Sequence, residues 1–540
     1  MENKSSEETL NQKLNLAIHF HNAGEYDSAE KLYKSILDNI PNHQQSLALL
    51  GALNIQQKKW MQAVEHLSAL VNLGSSNAFL FGNLGVALLE IKQFEKALYH
   101  LNKAIEIKPD YAVAYNSRGV ALKELNRLEE ALESYEKALN LDDQNAGSYR
   151  NKGVVLHELN RIDEALFFFE KAIVFDPSYL EAHSNKGVAL QELGEINQSI
   201  SALEKAIWLK DDYWEAIYNK SLTLLLSGDY ENGFHLYESR FKLDEYIQPV
   251  LKTEKLERKH IQIDFLKNKH ILIYAEQGLG DTLQFCRYVK VLKDYGPKIT
   301  LLVQKPLFNL LRTLSGIDCI ITEMDFAQPY EFYTPLMSLP HILRVNVSNE
   351  NNFSAYIHPD STKVNYWVQK LGLKTKPRVG LVWSGGFRAD QPAVWSVNKR
   401  RNLPFEYFAE LADFEIDFFS IQKGEPAESE FKKSIEIGWS GPTIKNYTDE
   451  LKDFSDTAGL IEQLDLIISV DTSTAHLAAA MGKQVWLLNR FDTCWRWLLD
   501  TEASPWYPTL TIFRQKRPGD WASVMKKVKE MLRINYAKIY

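Results

Sequence analysis

The sequence predicts an α-solenoid of paired helices followed by an α/β region of two adjacent parallel-sheet units. Three observations carry this expectation. Small residues recur at a fixed spacing through the first part of the chain. That recurrence fades after Tyr237. Beyond His270, short apolar runs alternate with helix-like stretches, the order that builds parallel sheets through right-handed crossovers.

The recurrence comes first. Gly51, Gly85, Gly119, Gly153 and Gly187 are each 34 apart (85 − 51, 119 − 85), with Ala17 before and Ser221 after. A second series is Ala29, Ala63, Ala97, Ala131, Ala165, Ser199 and Gly233, and a third includes Ala104, Ala138, Ala172 and Ala206. Pro41, Pro109 and Pro177 close units. This is the tetratricopeptide pattern of two antiparallel helices per unit. Glycine inside a helix costs about 1 kcal/mol relative to alanine, so its recurrence implies a close approach of the paired helices. Leu122, Leu156 and Leu190 fill the layers between units, since one pair alone cannot bury its apolar face. Units are expected to begin near Leu10, Gln44, Ala78, Ala112, Ala146, Leu180 and Trp214, the last a degenerate cap.

The sixth position of these units carries Asn15, Asn83, Asn151, Asn185 and Asn219, interrupted by Leu49 and Ser117. That position is expected to face the concave groove. Asparagine both donates and accepts, which suits an extended peptide backbone. The alternative is a solvated or inter-helix polar residue. The ladder resembles the groove of the O-linked N-acetylglucosamine transferases, which implies a protein or peptide partner held there.

Composition narrows the function classes. The chain has 540 residues, too many for one core. With 45% hydrophobic and 24% charged residues it reads as an ordinary soluble protein. A net charge of −8 gives no field to draw it to nucleic acid. Cys286, Cys319 and Cys494 form no C-x-x-C pair, which fits a reducing compartment. Met1 to Gln12 is polar, without a signal-peptide core, and no apolar stretch is long enough for a membrane span. A cytoplasmic location is the expectation.

In the second half, His270–Ala275 reads as a buried strand, followed by Glu276-Gln277-Gly278-Leu279-Gly280-Asp281-Thr282 and a helix over Leu283–Leu292. Strands are expected at Ile299–Val303 and Asp318–Thr322, with a helix over Pro306–Leu314 between them. A second unit opens with a strand from Arg378 to Trp383. Strands follow at Ile416–Ile421, Leu466–Val470 and Gln484–Leu487, and helices at Phe405–Leu411, Thr457–Gln463 and Thr474–Met481. In open α/β sheets, ligands bind at the carboxyl ends of the strands.

Three segments there carry candidate chemistry. Gly278 and Gly280 let a backbone approach a ligand, and the helix start at Thr282 favours an anion. Asp281 either acts as a base facing a cleft or caps its helix, and local sequence favours the cap. In Ser469–Gly482, a strand ends in Asp471-Thr472-Ser473-Thr474 before a helix that contains His476. These hydroxyls and N–H groups suit a phosphate; the plainer reading is a capped helix with a core histidine. The loop Ser384–Asn402 carries Arg388, Lys399, Arg400 and Arg401 against Asp390, and arginine suits a diphosphate. A solvated basic loop is the alternative. Gln422 and Lys423 end another strand.

Together, Ala275–Phe285, Val470–Gly482, Trp495–Asp500, Ser504–Pro508 and Arg514–Trp521 resemble tetratricopeptide-repeat proteins with a heptosyltransferase-like (glycosyltransferase family 9-like) C-terminal region. The resemblance implies a GT-B fold of two Rossmann-like domains and metal-independent, inverting transfer from a nucleotide-sugar without a cofactor. No Asp-x-Asp motif stands in the second half. By this resemblance Asp281 is the catalytic base. Asp471, Thr472, Ser473 and His476 match the family's donor-phosphate motif, and Arg400 or Arg401 its diphosphate-binding residue; Gly278, Gly280, Thr282, Gln422 and Lys423, from the residues themselves, are also expected around the donor. Asn402 departs from the family's usual serine. The expected organisation is a polar tail (1–9), a solenoid of about seven units (10–244) and a linker (245–268). An acceptor-side domain (269–376) and a donor domain with a terminal helix (377–540) complete it. A lipopolysaccharide-type sugar transferase and a non-catalytic scaffold that binds nucleotide-sugar remain as alternatives.

Overall fold

The computed structural model describes residues 2–243, 246, 253–325, 328–345, 347, 355–386 and 395–536. The chain divides into two compact units, Met1–Ala189 and Leu190–Tyr540.

The repeat helices start where the period places them, at Gln44, Ala78, Ala112, Ala146, Leu180 and Trp214. Each has a partner, as Ala112–Glu124 has Leu128–Leu141. The first helix starts at Glu2, not Leu10, because the polar tail holds helix formers and no breaker. The glycines sit where helices nearly touch. A Cβ at Gly85 would lie 2.5 Å from Leu101, at Gly119 2.5 Å from Tyr135, and at Gly153 2.7 Å from Phe169.

Two further series keep the 34-residue period. Gly24, Lys58, Lys92, Asn126, Asn160, Gly194 and Gly228 all have positive φ, in the turn between the helices of each pair. A cation early in the first helix reaches back to the preceding helix. In the first unit, Arg118 Nε donates to Asn102 (2.9 Å), and Lys152–Glu136 and Lys186–Glu170 are 3.7 and 2.9 Å apart. In the second unit, Lys220–Glu204 repeats the contact at 2.7 Å.

The second unit contains the end of the repeats and two all-parallel sheets. The first sheet has strands β1 (Glu254–Lys255), β2 (His270–Tyr274), β3 (Lys298–Leu302), β4 (Cys319–Ile321) and β5 (Phe332–Pro335). Their order is β1-β5-β2-β3-β4. The second sheet has β6 (Arg378–Val382), β7 (Asp417–Ser420), β8 (Ile444–Asn446), β9 (Leu466–Val470), β10 (Gln484–Asn489) and β11 (Leu510–Arg514). Their order is β11-β10-β9-β6-β7-β8. Strand order therefore reverses between β6 and β9, as in a Rossmann-like sheet, and between β2 and β5 in the first sheet. Such reversals open a crevice at the strand carboxyl ends.

β1, β5, β8 and β11 are additional to the expected strands; β1 belongs to the segment read as a linker, of which 245 and 247–252 lie outside the described residues. The expected helix over 283–292 is two shorter helices, Leu279–Phe285 and Arg287–Lys293. The segment 306–314 is a 3-10 turn plus Phe308–Leu311, and Phe405–Leu411 is a 3-10 helix. Helices Phe454–Ile461 and Ser473–Ala480 match expectation to within a few residues, and Trp521–Tyr536 is the terminal helix. Both faces of the second sheet are covered. Val379, Leu381, Ile468 and Val470 join one apolar core with Trp521 and Val528. Val382 and Ile467 join another with Ile271, Phe285 and Trp506.

Candidate functional site

The candidate residues gather where two strand-end helices pack together. Helix Leu279–Phe285 follows β2, and helix Ser473–Ala480 follows β9. They pack so closely that a Cβ on Gly280 would lie 2.9 Å from the His476 ring and 3.6 Å from the Ser473 backbone. Gly280 is thus a contact glycine between the two glycine- and hydroxyl-rich loops.

Asp281 caps its helix: Oδ2 accepts the Gly278 N–H at 2.8 Å. Its other oxygen is bound by the Arg496 guanidinium. Arg496 also donates to Gln284 Oε1 (2.7 Å) and to Cys494 Sγ (3.3 Å), and it lies 4.2 Å from the Trp495 ring centre. Burial opposes the charge of Arg496, but Asp281 and Cys494 more than offset this and its pKa is raised. The structure gives Asp281 the cap role, and about a fifth of its side chain (22%) stays exposed.

His476 is buried. Its Nδ1 meets the Tyr507 hydroxyl at 2.9 Å, and its ring stacks on Trp497 with centroids 5.3 Å apart. Nε2 is 3.7 Å from Asp471 Oδ1. Burial pushes its pKa down to about 4, so the ring is neutral at pH 7. Thr472 is the N-cap of the second helix; its hydroxyl accepts the Ala475 N–H at 3.4 Å and meets Ser469 Oγ at 3.0 Å. Asp471, Thr472 and Ser473 remain partly exposed.

The candidate cations differ from one another. The Arg401 guanidinium lies over Gly385 at the end of β6, where a Cβ would come 2.0 Å from Nη2, and it donates to Asn398 Oδ1 at 2.6 Å. Asn402 Oδ1 accepts the Gly385 N–H at 2.9 Å. Arg401 therefore stands beside the β6/β9 switch point. Arg400 instead joins a buried charge cluster, with Glu192 at 3.3 Å and Asp492 at 3.2 Å; Arg490 also reaches Asp492. Lys399 is exposed, and Arg388 and Asp390 lie outside the described residues. Lys423 is bound to the carbonyls of Thr448 and Leu451. Gln422 is buried, and its Oε1 accepts the N–H groups of Trp383 (3.0 Å) and Ser384 (2.9 Å). Thr282 donates to Gln304 Oε1 at 2.9 Å. Gln422, Lys423 and Thr282 thus make these bonds within the protein. Among the described residues no cluster of His, Cys, Asp and Glu is arranged to hold a metal ion.

Sequence reasoning missed Arg496, Gln284 and Tyr507. It also missed Glu276, whose carboxylate lies at the end of β2. Glu276 takes two bonds from the buried Arg240 guanidinium (2.9 and 3.0 Å), one from the Met337 N–H (3.0 Å) and one from Tyr246. No local signal marks these residues, because their partners are distant in sequence.

In the repeats, Asn15 is exposed, and Asn83, Asn151, Asn185 and Asn219 are partly buried. Asn151 is already engaged: it donates to Asn116 Oδ1 and accepts from Arg150, both at 3.1 Å. The Asn185 Nδ2 is buried without a partner.

Comparison with known proteins agrees with the repeats. Models of the TPR repeat match residues 87–126 and 121–160, and models of the tetratricopeptide repeat match 146–179 and 180–213. The chain is similar to Protein FlbA of Caulobacter vibrioides, 26% identical over 337 residues, covering 57% of this chain and 53% of FlbA. It thus spans about half of that protein's length. Among solved structures, a tetratricopeptide repeat protein from Parabacteroides merdae is similar at 17% identity and TM-score 0.38, covering 44% of this chain and 94% of that one. YrrB, described as a TPR protein with an unusual peptide-binding site, is similar at 24% identity and TM-score 0.29, covering 32% and 88%. The first part of this chain is accordingly a tetratricopeptide-repeat solenoid, and the second is α/β with parallel sheets. Among the described residues no helix is long and apolar enough to cross a membrane.

Proposed function

We propose that the chain is a metal-independent, inverting glycosyltransferase of GT-B type, with a nucleotide-sugar donor and a protein acceptor gripped by the repeat helices. The observation that carries this reading is the pairing of two strand-end helix starts. Asp281 lies at the start of one, and Thr472 and Ser473 at the start of the other, with Arg401 at the neighbouring switch point. One side supplies a carboxylate. The other supplies N–H groups, hydroxyls and a cation.

In this reading Asp281 takes the acceptor's proton as the acceptor oxygen or nitrogen bonds to the anomeric carbon. The bond from that carbon to the phosphate oxygen breaks, and the nucleoside diphosphate leaves with the electron pair. The helix start at Thr472 and the Arg401 guanidinium meet the charge that develops on the diphosphate. Neutral His476 shapes the wall against Gly280 and supplies no positive charge. Arg496 releases one Asp281 oxygen to the acceptor.

A second reading, a scaffold that binds a nucleotide-sugar without transferring it, is favoured by the engagement of both Asp281 oxygens. Release of nucleoside diphosphate, measured with candidate donors and peptide acceptors, separates the two. Transfer that vanishes in Asp281→Asn while donor binding persists supports the enzyme. Donor binding with no release in the unaltered chain supports the scaffold.

A further inference from the structure

The last repeat pair, expected as a degenerate cap, also braces the loop that carries Asp281. Helices Trp214–Leu226 and Tyr230–Tyr237 place Leu225, Phe234 and Tyr237 in the same apolar core as Ile271, Leu283 and Trp495. Tyr237 is buried there (2% exposed), its ring 5.5 Å from that of Tyr218. Its hydroxyl reaches out of the repeats to the turn that follows β2.

We propose that Tyr237 is a positioning residue for Asp281, an assignment that rests on the reading of Asp281 as the base. The hydrogen bonds form one continuous path. Gln277 Nε2 donates to the Tyr237 hydroxyl at 2.9 Å. The Gln277 carbonyl accepts from Gln304 Nε2 at 2.8 Å, and Gln304 Oε1 accepts from the Thr282 hydroxyl at 2.9 Å. Thr282 follows Asp281 in the first turn of helix Leu279–Phe285. The loop is therefore fixed from outside at both ends, by Tyr237 before Gly278 and by Gln304 after Asp281. The Tyr237 hydroxyl keeps its own proton for Met337 Sδ, 4.0 Å away. Burial raises the phenol's pKa well above its ordinary value, so the hydroxyl stays protonated.

The same stretch holds the preceding loop residue. Arg240 donates to the Tyr237 carbonyl at 3.0 Å and pairs with Glu276 at 2.9 Å, both side chains almost wholly buried. Arg240 thus fixes where β2 ends, and Tyr237 fixes the direction of the turn that leaves it. The opposite holder of Asp281 is backed in the same way. Phe234 packs edge-on against Trp495 (5.8 Å, 90°), whose ring underlies Arg496. Asp281 is held by the Gly278 N–H and by Arg496, and the last repeat pair stands behind both. A base displaced by about 1 Å can lose about a hundredfold in rate, so removing this brace acts on turnover and not on binding.

The test is transfer by the full chain, read as nucleoside diphosphate release. The donors are UDP-, GDP-, ADP- and CDP-linked sugars, and the acceptor is a mixed Ser/Thr/Asn peptide library. The variants are Tyr237→Phe, which keeps the ring, and Gln277→Met, which removes the other end of the same bond. kcat is expected to fall about tenfold in each and no further in the double variant, with apparent acceptor KM and nucleotide Kd unchanged. Unchanged kcat in both variants, losses that multiply in the double variant, or a rise in KM instead of a fall in kcat would overturn the assignment. Amide hydrogen exchange of the same proteins reads the loop without turnover. Exchange at Gly278 should quicken about tenfold while Ile271–Ile273 of β2 keep their rates; unchanged exchange at Gly278 in both variants would also overturn it. No transfer by the unaltered chain, with Gly278 exchange quickened in both variants, would sink the reading of Asp281 as the base and uphold Tyr237 as the residue that positions its loop.

Discussion

Asp281 and Arg496 lie 215 residues apart in sequence and form an ion pair across the two sheet systems. One carboxylate oxygen holds the guanidinium and the other holds its own helix start. The residue proposed to take a proton is thus positioned by two opposed structural bonds. Asp281→Asn should destabilise the fold by about 1–2 kcal/mol, less than a fully buried pair because Asp281 is partly exposed. Arg496→Met should cost more alone than in combination with Asp281→Asn. Chemical denaturation of the two single variants and the double variant checks this coupling. Additive losses would mean that the pair contributes nothing.

His476 sets a pH dependence of stability. Its folded pKa of about 4 lies below the ordinary 6.5 because burial penalises the charged ring. Between these values the unfolded chain binds the proton and the folded chain does not. The stabilising effect is therefore complete above pH 6.5 and is lost as pH falls toward 4. The full loss, reached below pH 4, is about 3 kcal/mol, of which about 2 kcal/mol falls between pH 6.5 and pH 4.5. Urea denaturation at pH 6.5 and at pH 4.5 should show it, and His476→Gln should flatten the difference.

Gly119→Ala should destabilise the solenoid although alanine is the better helix former. The added Cβ would stand 2.5–2.8 Å from three atoms of the buried Tyr135 ring. Overpacking of this kind costs about 1–3 kcal/mol, more than the propensity gain. Thermal unfolding of the variant reads the sign directly.

Lys92→Gly should act in the opposite direction. Lys92 holds φ at 59° in the turn where other units place Gly24, Gly194 and Gly228. Relief of the left-handed strain exceeds glycine's entropic penalty by about 1 kcal/mol. A higher unfolding midpoint is expected, and an unchanged or lower one would show that the turn is unstrained.

The repeats were legible because their constraint is local and recurs. The close approach at Gly85 and Gly119 leaves a mark every 34 residues. The positive-φ turns repeat as regularly, but they use Gly, Lys and Asn in turn, so residue identity hides them. β2, β3, β6 and β9 could be read from apolar runs, since both faces of a central parallel strand are buried. β8, with two of its three residues exposed, and the two-residue β1 give no such signal. Asp281 and Thr472 stood out by motif, and Arg400 and Arg401 together as a basic pair. Their partners did not: the Arg496 contact, the Tyr507 bond to His476 and the Arg240 clamp on Glu276 are products of the fold. The structure also separates Arg400 from Arg401, because only three-dimensional packing tells which of two adjacent arginines turns to the strand end.

The central claim is that the second sheet receives a nucleotide-sugar at its switch point. Thermal unfolding of the full chain against a panel of nucleoside diphosphates and nucleotide-sugars, repeated on Arg401→Ala, tests it most directly. A ligand at a hundred times its dissociation constant adds about 2.7 kcal/mol of stability. The account predicts a selective rise in midpoint for one nucleotide and a markedly smaller rise in Arg401→Ala. No rise with any nucleotide, or an equal rise in the variant, would contradict it.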